Sequence, residues 1–361
     1  MNCCTNCFES GYINAIIIGN KRKGNCDYCE SEDVYIHEAS ELSHFFLGII
    51  DLYEVDEAQG KALEIQIAAD FNKKVFTQRL IDTNNVKPLI IEIIRDYIAD
   101  YQRLLENPVR LKFHNNGAEE SITQPLFLSW DQFSAEIKTV NRFHFVNALD
   151  LEKLKSLFKH FQKDYKKGKK FYRARISNNR QGYPIEQMGN PTNDLAKSGR
   201  ANPKGISHLY IANDIKTTLY EVRASLFDYV SVGTFGLEED IRVVNLSRST
   251  YDVFRLAELE SLEEVMIHGS FIDKLEEELS RPRRRNDSEL DYLPTEYLSE
   301  LIKSMGFDGI EFRSSLNSQG YNLAIFSPKK FRCIESFVYD IQNINLEYAK
   351  LDQNEHVAEK S

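Results

Sequence analysis

Five of the six cysteines fall in the first thirty residues, and four of them pair as Cys4-Thr5-Asn6-Cys7 and Cys26-Asp27-Tyr28-Cys29, with eighteen residues between. Two thiolates two residues apart on a tight knuckle can face one ion, and two such knuckles complete a tetrahedral sulfur site of the zinc-ribbon or treble-clef kind. Four thiolates fill the coordination shell, so a zinc ion held by Cys4, Cys7, Cys26 and Cys29 is structural rather than catalytic. Cys3 competes with Cys4 for the first position at a looser spacing. Gly24, ahead of the second pair, is expected to ease that turn by tolerating a positive φ. Cys333 stands alone in a strand-like run and reads as a small buried hydrophobe.

Residues suited to gripping a substrate lie after position 170. In Phe171-Tyr172-Arg173-Ala174-Arg175-Ile176 the two arginines share one strand face, where paired guanidinium groups suit a diphosphate or carboxylate. Gly199-Arg200-Ala201-Asn202-Pro203-Lys204-Gly205 is a turn-rich loop that lets backbone N–H groups approach a ligand. It feeds a strand carrying Tyr210. The helix that follows, capped by Asn213 or Asp214, has an apolar stripe of Ile215, Leu219, Val222 and Leu226, which leaves Glu221 nearly opposite, toward water or a cleft. Gly309 through Ser315 reads as a strand entering a turn that carries Ser314. Each motif alone is ordinary strand, loop or helix chemistry.

The elements that must position these residues change in texture along the chain. After the cysteine-rich start, Leu42, Phe45, Phe46, Ile49 and Tyr53, then Ile90, Ile93, Ile94, Tyr97, Ile98 and Tyr101, recur at helical spacing, as do Leu154, Leu157, Phe158 and Phe161 within Leu151–Tyr165. Lys166-Lys167-Gly168-Lys169-Lys170 marks a boundary. Beyond it come short strand-like runs at 171–176, 208–212, 229–234, 241–246, 322–326 and 331–337, with helical windows near 214–226, 253–279 and 296–305, a pattern of α+β type. A net charge of −10 argues against nucleic-acid binding by bulk charge. Arg281-Pro282-Arg283-Arg284-Arg285, the obvious candidate for a local basic patch, reads as a solvated loop. Without a secretory signal or a spanning apolar run, the chain is expected to be cytoplasmic.

Taken in order, Tyr172-Arg173, the 199–205 loop, Leu209-Tyr210, Thr218-Leu219-Tyr220-Glu221-Val222 and Gly309 through Ser314 resemble the RES family, named for its arginine, glutamate and serine. Ala201 stands where an aromatic is usual, Ser198 where a second glycine often sits, and the 253–295 insert exceeds compact versions of the domain. The resemblance implies a multi-domain chain. It would comprise a Cys4 zinc knuckle at 1–35, an α-helical, HEPN-like region at 36–165, an α+β RES domain of ADP-ribosyltransferase-like fold at 166–345, and a polar tail at 346–361. Arg110 to His114 is one residue too short for the Arg-x4–6-His motif of HEPN ribonucleases, which favours a structural or interaction role for that region.

The function implied is that of a toxin-like enzyme that binds NAD⁺ and breaks its nicotinamide–ribose bond by hydrolysis or phosphorolysis. Alternatives are ADP-ribosylation of a protein target, and a non-catalytic NAD- or partner-binding module in which the zinc knuckle and helices do the recognition. By resemblance, Glu221 stabilises the ribosyl cation or holds a ribose hydroxyl, and Arg173 binds the diphosphate with Arg200 as a second clamp. Tyr210 then meets the nicotinamide side, and Ser314 bonds ribose or amide. A small helix-turn-helix antitoxin and further copies of the chain are the expected partners.

Overall fold

Helix starts in this chain are set by side chains that accept backbone N–H groups: Ser10, Thr77, Asp150, Asp214 and Asp252 each cap a helix in this way. The computed structural model describes residues 1–71, 74–112, 130–144, 150–247, 251–259, 262–282 and 288–344. His114, Arg283 to Arg285 and the tail from 346 lie outside the described residues.

In chain order the first elements are β1 (Asn2–Cys4), α1 (Gly11–Gly19), β2 (Lys23–Gly24), β3 (Val34–Glu38), α2 (Ser43–Ile50), β4 (Tyr53–Val55), α3 (Leu63–Asp70), α4 (Gln78–Asp82), α5 (Val86–Ile93), α6 (Ile98–Glu106), β5 (Val109–Leu111), α7 (Trp130–Thr139) and α8 (Leu151–His160). There follow β6 (Gln162–Tyr165), β7 (Lys170–Ser177), β8 (Leu209–Ala212), α9 (Ile215–Glu221), β9 (Tyr229–Leu237), β10 (Ile241–Asn245), α10 (Val253–Glu258), α11 (Leu262–Ser280), α12 (Leu293–Ser304), β11 (Gly309–Arg313), β12 (Tyr321–Ile325) and β13 (Phe331–Asp340). No helix among the described residues is long and apolar enough to cross a membrane.

The chain forms two compact units, Met1–Gln162 with Asn245–Glu278, and Lys163–Val244 with Leu279–Ser361. In the first, β1, β3 and β2 form a small sheet and β4 pairs with β5, so the helical stretch read from periodicity also carries short strands. Phe8, Phe46, Phe76 and Phe254 build its aromatic core, with Phe46 and Phe254 at a centroid distance of 4.9 Å. Asp252 ties the later segment to this unit, since its carboxylate accepts from the Ser10 hydroxyl at 2.7 Å and the Tyr12 N–H at 3.0 Å. The run from Ile90 to Tyr101 is one apolar stripe in sequence but two helices in space, broken by a 3₁₀ turn at Arg95–Tyr97.

The second unit is built on a mixed eight-stranded sheet in the order β13-β9-β7-β8-β12-β11-β10-β6. Phe171, Leu209, Ile211, Leu323 and Ile325 share one apolar cluster. Ala174, Val230 and Val232 share another, against which Ile215, Leu219 and Val222 pack. The functional consequence lies in the register. β7 and β9 pair along eight residues, but β7 and β8 meet only at Tyr172 with Ala212. Beyond that single pair the two strands part, and a cleft opens between them.

Candidate functional site

The cleft has a volume of about 610 Å³. One face of β8, β11 and β12 supplies Tyr210, Ala212, Phe312 and Asn322 to its wall, as the strand alternation from core residues Leu209, Ile211 and Leu323 requires. Arg173, at the point where β7 leaves β8, reaches across the gap and donates from Nη1 to the Tyr210 carbonyl at 3.1 Å. Its Nε is buried without a partner. Burial, with Arg175 nearby, lowers the Arg173 guanidinium to about 10, so it remains a cation at neutral pH, desolvated and turned toward a cleft. Arg175 does not join it: its guanidinium donates to the Gln187 carbonyl and lies 4.1 Å from the Tyr183 ring centroid. The two arginines alternate as expected, but only Arg173 serves the cleft.

Glu221 sits at the last residue of α9, whose start is fixed by Asp214 accepting from the Thr217 N–H at 2.8 Å and its hydroxyl at 2.7 Å. The helix is shorter than the apolar stripe suggested, because the backbone turns at Arg223, which takes φ 54°. Glu221 faces the cleft. Its Oε1 accepts from the Ser314 hydroxyl at 2.7 Å and from the Asn322 amide at 2.8 Å. Ser314 is buried behind the carboxylate and does not line the cleft, so it is a positioning residue rather than one in reach of a ligand. Asn322 was missed in the sequence. Its signal was there: a lone amide in the apolar run Tyr321-Asn322-Leu323-Ala324-Ile325.

The 199–205 loop is organised by Asn202. Its amide nitrogen lies 2.9 Å from the Lys197 carbonyl, 3.0 Å from that of Ile206 and 3.2 Å from that of Pro203, while Oδ1 accepts from the Tyr210 hydroxyl at 2.7 Å. The Tyr210 oxygen in turn accepts from the Ala201 N–H at 3.3 Å. The Tyr210 hydroxyl therefore anchors the loop, and only its ring is presented to the cleft. Burial raises its pKa, which keeps it a donor. Gly199 is required here by close approach: a Cβ would stand 2.7 Å from Asn202 Oδ1 and 3.3 Å from the Tyr210 hydroxyl. Gly199→Ala is expected to cost about 1–3 kcal/mol, read as a lower melting temperature, and to raise the ligand's Kd, because the loop must shift to admit the methyl. A variant that melts and binds as wild type would remove the loop from the site.

Arg200 lines the cleft with its guanidinium 5.1 Å from the Tyr292 ring centroid. Lys197, Arg223 and Arg281 line it too, so among the described residues five cations face one carboxylate, Glu221, in a chain whose net charge is −10. That local inversion of charge points to an anionic ligand. Burial, and then Lys303, holds His208 down to about 4, whereas an exposed histidine titrates near 6.5. Between those values the unfolded chain binds the extra proton, so stability falls as pH drops from about 6.5 toward 4, by at most about 3 kcal/mol. His208→Gln is expected to flatten that part of a urea-denaturation pH profile; an unchanged slope would show that other groups set it.

In the first unit, the sulfurs of Cys4, Cys7, Cys26 and Cys29 lie within 4.8 Å of one another and all four residues are buried. Three of the separations are 3.9 Å (Cys4–Cys7), 3.4 Å (Cys4–Cys29) and 3.4 Å (Cys7–Cys26). Zinc–sulfur bonds of about 2.3 Å imply tetrahedral edges of about 3.8 Å, so the donor set fits that ion. Backbone N–H groups of Asn6, Tyr28 and Cys29 donate to Cys4 or Cys26 sulfur, the arrangement that two knuckles produce. Cys3 is turned away, its thiol donating to the His37 carbonyl at 3.5 Å. Gly24 does not take a positive φ; it is a strand residue whose added Cβ would meet Ile36 Cδ1 at 2.8 Å, and Glu30 and Asp33 take the left-handed conformations instead. Cys333 is only half-buried on β13.

Residues 170–348 match the family model described as RES domain. No curated protein matches the chain. One similar solved structure is the crystal structure of the M. tuberculosis MbcT-MbcA toxin-antitoxin complex, 16% identical, with 54% of this chain and 94% of that one covered at a TM-score of 0.33.

Proposed function

The chain belongs to the RES domain family through residues 170–348, and on that premise we propose that it binds NAD⁺ and breaks the nicotinamide–ribose bond with water or phosphate as acceptor. The observation that carries the reading is the Glu221 carboxylate, held through Oε1 by Ser314 and Asn322 in a cleft whose other charged residues, among those described, are cations. A dinucleotide offers both complements: a diphosphate for Arg173 and Arg200, and a ribose on which positive charge builds as nicotinamide departs. In this reading the C1′–N bond breaks, its electron pair leaves with nicotinamide, and an acceptor oxygen bonds C1′ while its proton goes to solvent. Glu221 stabilises the cationic ribose in between. It is exposed at the cleft surface, which supports a small acceptor arriving from solution.

The strand parting between β7 and β8 is read as an ADP-ribosyltransferase-like cleft, and the four clustered thiolates as a structural zinc knuckle. By family likeness alone, a small helix-turn-helix antitoxin is the proposed protein partner. The test follows NAD⁺ and its products with purified protein, with and without phosphate. Free nicotinamide with ADP-ribose or its 1″-phosphate is the expected result. Label transferred to protein would move the reading to ADP-ribosylation, and NAD⁺ bound but unchanged over hours would leave a binding module.

A further inference from the structure

The cleft is anisotropic. Its apex is where Tyr172 pairs with Ala212, beside Asn322 and hence Glu221, since Asn322 pairs with Ala212 and donates to Glu221. From there β8 runs back toward His208, four residues away, which at about 3.3 Å per residue is roughly 13 Å from the apex. Along that line Leu209 and Ile211 join the core, Ile211 also reaching the cleft lining, while His208 and Tyr210 share the other face and line the cleft.

His208 is 2% exposed, and neither ring nitrogen makes a hydrogen bond of normal geometry, the Ala201 backbone alone lying near enough to raise its pKa slightly. It does not stand alone: Arg173 Nε, Thr218 Oγ1 and Ser280 Oγ are also buried, unpartnered and on residues lining this same cleft. Leaving such groups unmade is costly, so their gathering in one place marks a surface built to meet polar atoms of a ligand. The ring rests 4.8 Å from that of Phe326, which fixes its plane. A neutral imidazole offers one donor and one acceptor, which match the paired donor and acceptor of a nucleobase edge, whereas a phosphate would engage the donor alone.

The same end of the cleft has an apolar wall. Ser207, next to His208, donates its hydroxyl to the Pro191 carbonyl, its N–H to Asn193 Oδ1 at 3.2 Å, and accepts from Asn190 at 2.8 Å. These bonds bring Pro191 and Leu195 to His208's end of the cleft lining. Leu195 is 68% exposed, an unusual position for leucine on a loop so tied down.

We propose that this end is the nucleobase subsite, in which His208 hydrogen-bonds the adenine edge while Pro191 and Leu195 cover the ring face. The proposal rests on the NAD⁺ reading of the cleft and adds which end holds which half of the dinucleotide. Nicotinamide and its ribose lie at the Glu221 apex, the diphosphate against Arg173, and adenine at His208.

The test compares NAD⁺ with nicotinamide mononucleotide, which lacks the adenylate half, in wild type, His208→Leu, His208→Gln and Leu195→Ser. His208→Leu should raise KM for NAD⁺ about tenfold with kcat little changed, the scale of one or two hydrogen bonds, and leave nicotinamide mononucleotide kinetics as they are. His208→Gln should recover most of the loss. Leu195→Ser, at an exposed position that does not threaten folding, should raise KM for NAD⁺ about threefold. Equal losses with both nucleotides, or no loss with NAD⁺ in either the His208 or the Leu195 variants, would overturn the proposal. Should wild type cleave neither nucleotide, the cleavage reading fails, and calorimetric titration of the same proteins with ADP-ribose and ribose 5-phosphate decides the subsite separately. Weakening confined to ADP-ribose upholds it; ADP-ribose binding unchanged in the variants, or absent from wild type, overturns it.

Discussion

Glu221→Gln is expected to lower kcat for NAD⁺ cleavage by about 10²–10³-fold while changing KM by less than about threefold. Glutamine keeps a carbonyl oxygen where Oε1 accepts from Ser314 and Asn322, so the side chain stays in place and only its charge is lost. The charge matters in the transition state, where the ribose is cationic, and little in the ground state, so the loss falls on kcat. Ser314→Ala removes one of the two bonds that orient the carboxylate and should cost about tenfold by itself. Because Ser314 acts through Glu221, adding Ser314→Ala to Glu221→Gln should cost almost nothing further, as residues acting as one unit are non-additive. Steady-state kinetics on the two single variants and the double variant check this. A Glu221→Gln enzyme within threefold of wild type would remove the carboxylate from the chemistry, and additive losses would give Ser314 a role of its own.

What could be read in the sequence was the order of motifs, and what could not was their depth. Tyr210, Glu221 and Arg200 stand out through the ordered resemblance and not through local pattern alone, and all three line one cleft with Arg173. Pattern does not say which atoms of a side chain are already engaged. By resemblance Ser314 and Tyr210 both meet the ligand, but in the fold the Ser314 hydroxyl orients Glu221 and the Tyr210 hydroxyl anchors Asn202, leaving the Tyr210 ring for the cleft. Arg175 sits on the expected strand face yet is captured by Gln187 and Tyr183, contacts made from a loop whose path no periodicity encodes. The β7–β8 parting was equally invisible, since a strand's sequence does not announce where its neighbour stops pairing. Cations such as Lys197, Arg223 and Arg281 came from three separate segments, and only tertiary structure gathers them. Helix placement was more legible, because caps such as Asp150 and Asp214 act locally. The exception, a stripe broken at Arg95–Tyr97, shows an apolar period outlasting the backbone that carries it.

On the proposed zinc reading of the four thiolates, metal removal from the first unit is the second large effect expected. Four buried sulfurs within 4.8 Å would repel one another once ionised, and a bound zinc ion would offset that charge. Structural zinc sites of this ligand type contribute about 10–16 kcal/mol of apparent binding energy at neutral pH, and that energy is folding energy. Purified protein should hold one zinc per chain, and chelation should melt the β1–β3 sheet together with the knuckles that Cys4 and Cys26 organise. Cys29→Ala should bind no zinc stably and lower the melting temperature of this unit by more than about 10 °C. Cys3→Ala is the discriminating control, because its thiol, though equally buried and one residue from Cys4, bonds the His37 carbonyl outside the cluster. It should keep the full zinc content. Metal analysis and thermal unfolding of the two variants read the outcome directly. Equal zinc loss in both would put Cys3 into the ligand set, and a metal-free protein with an unchanged melting temperature would reduce the cluster to four reduced thiols packed as ordinary core.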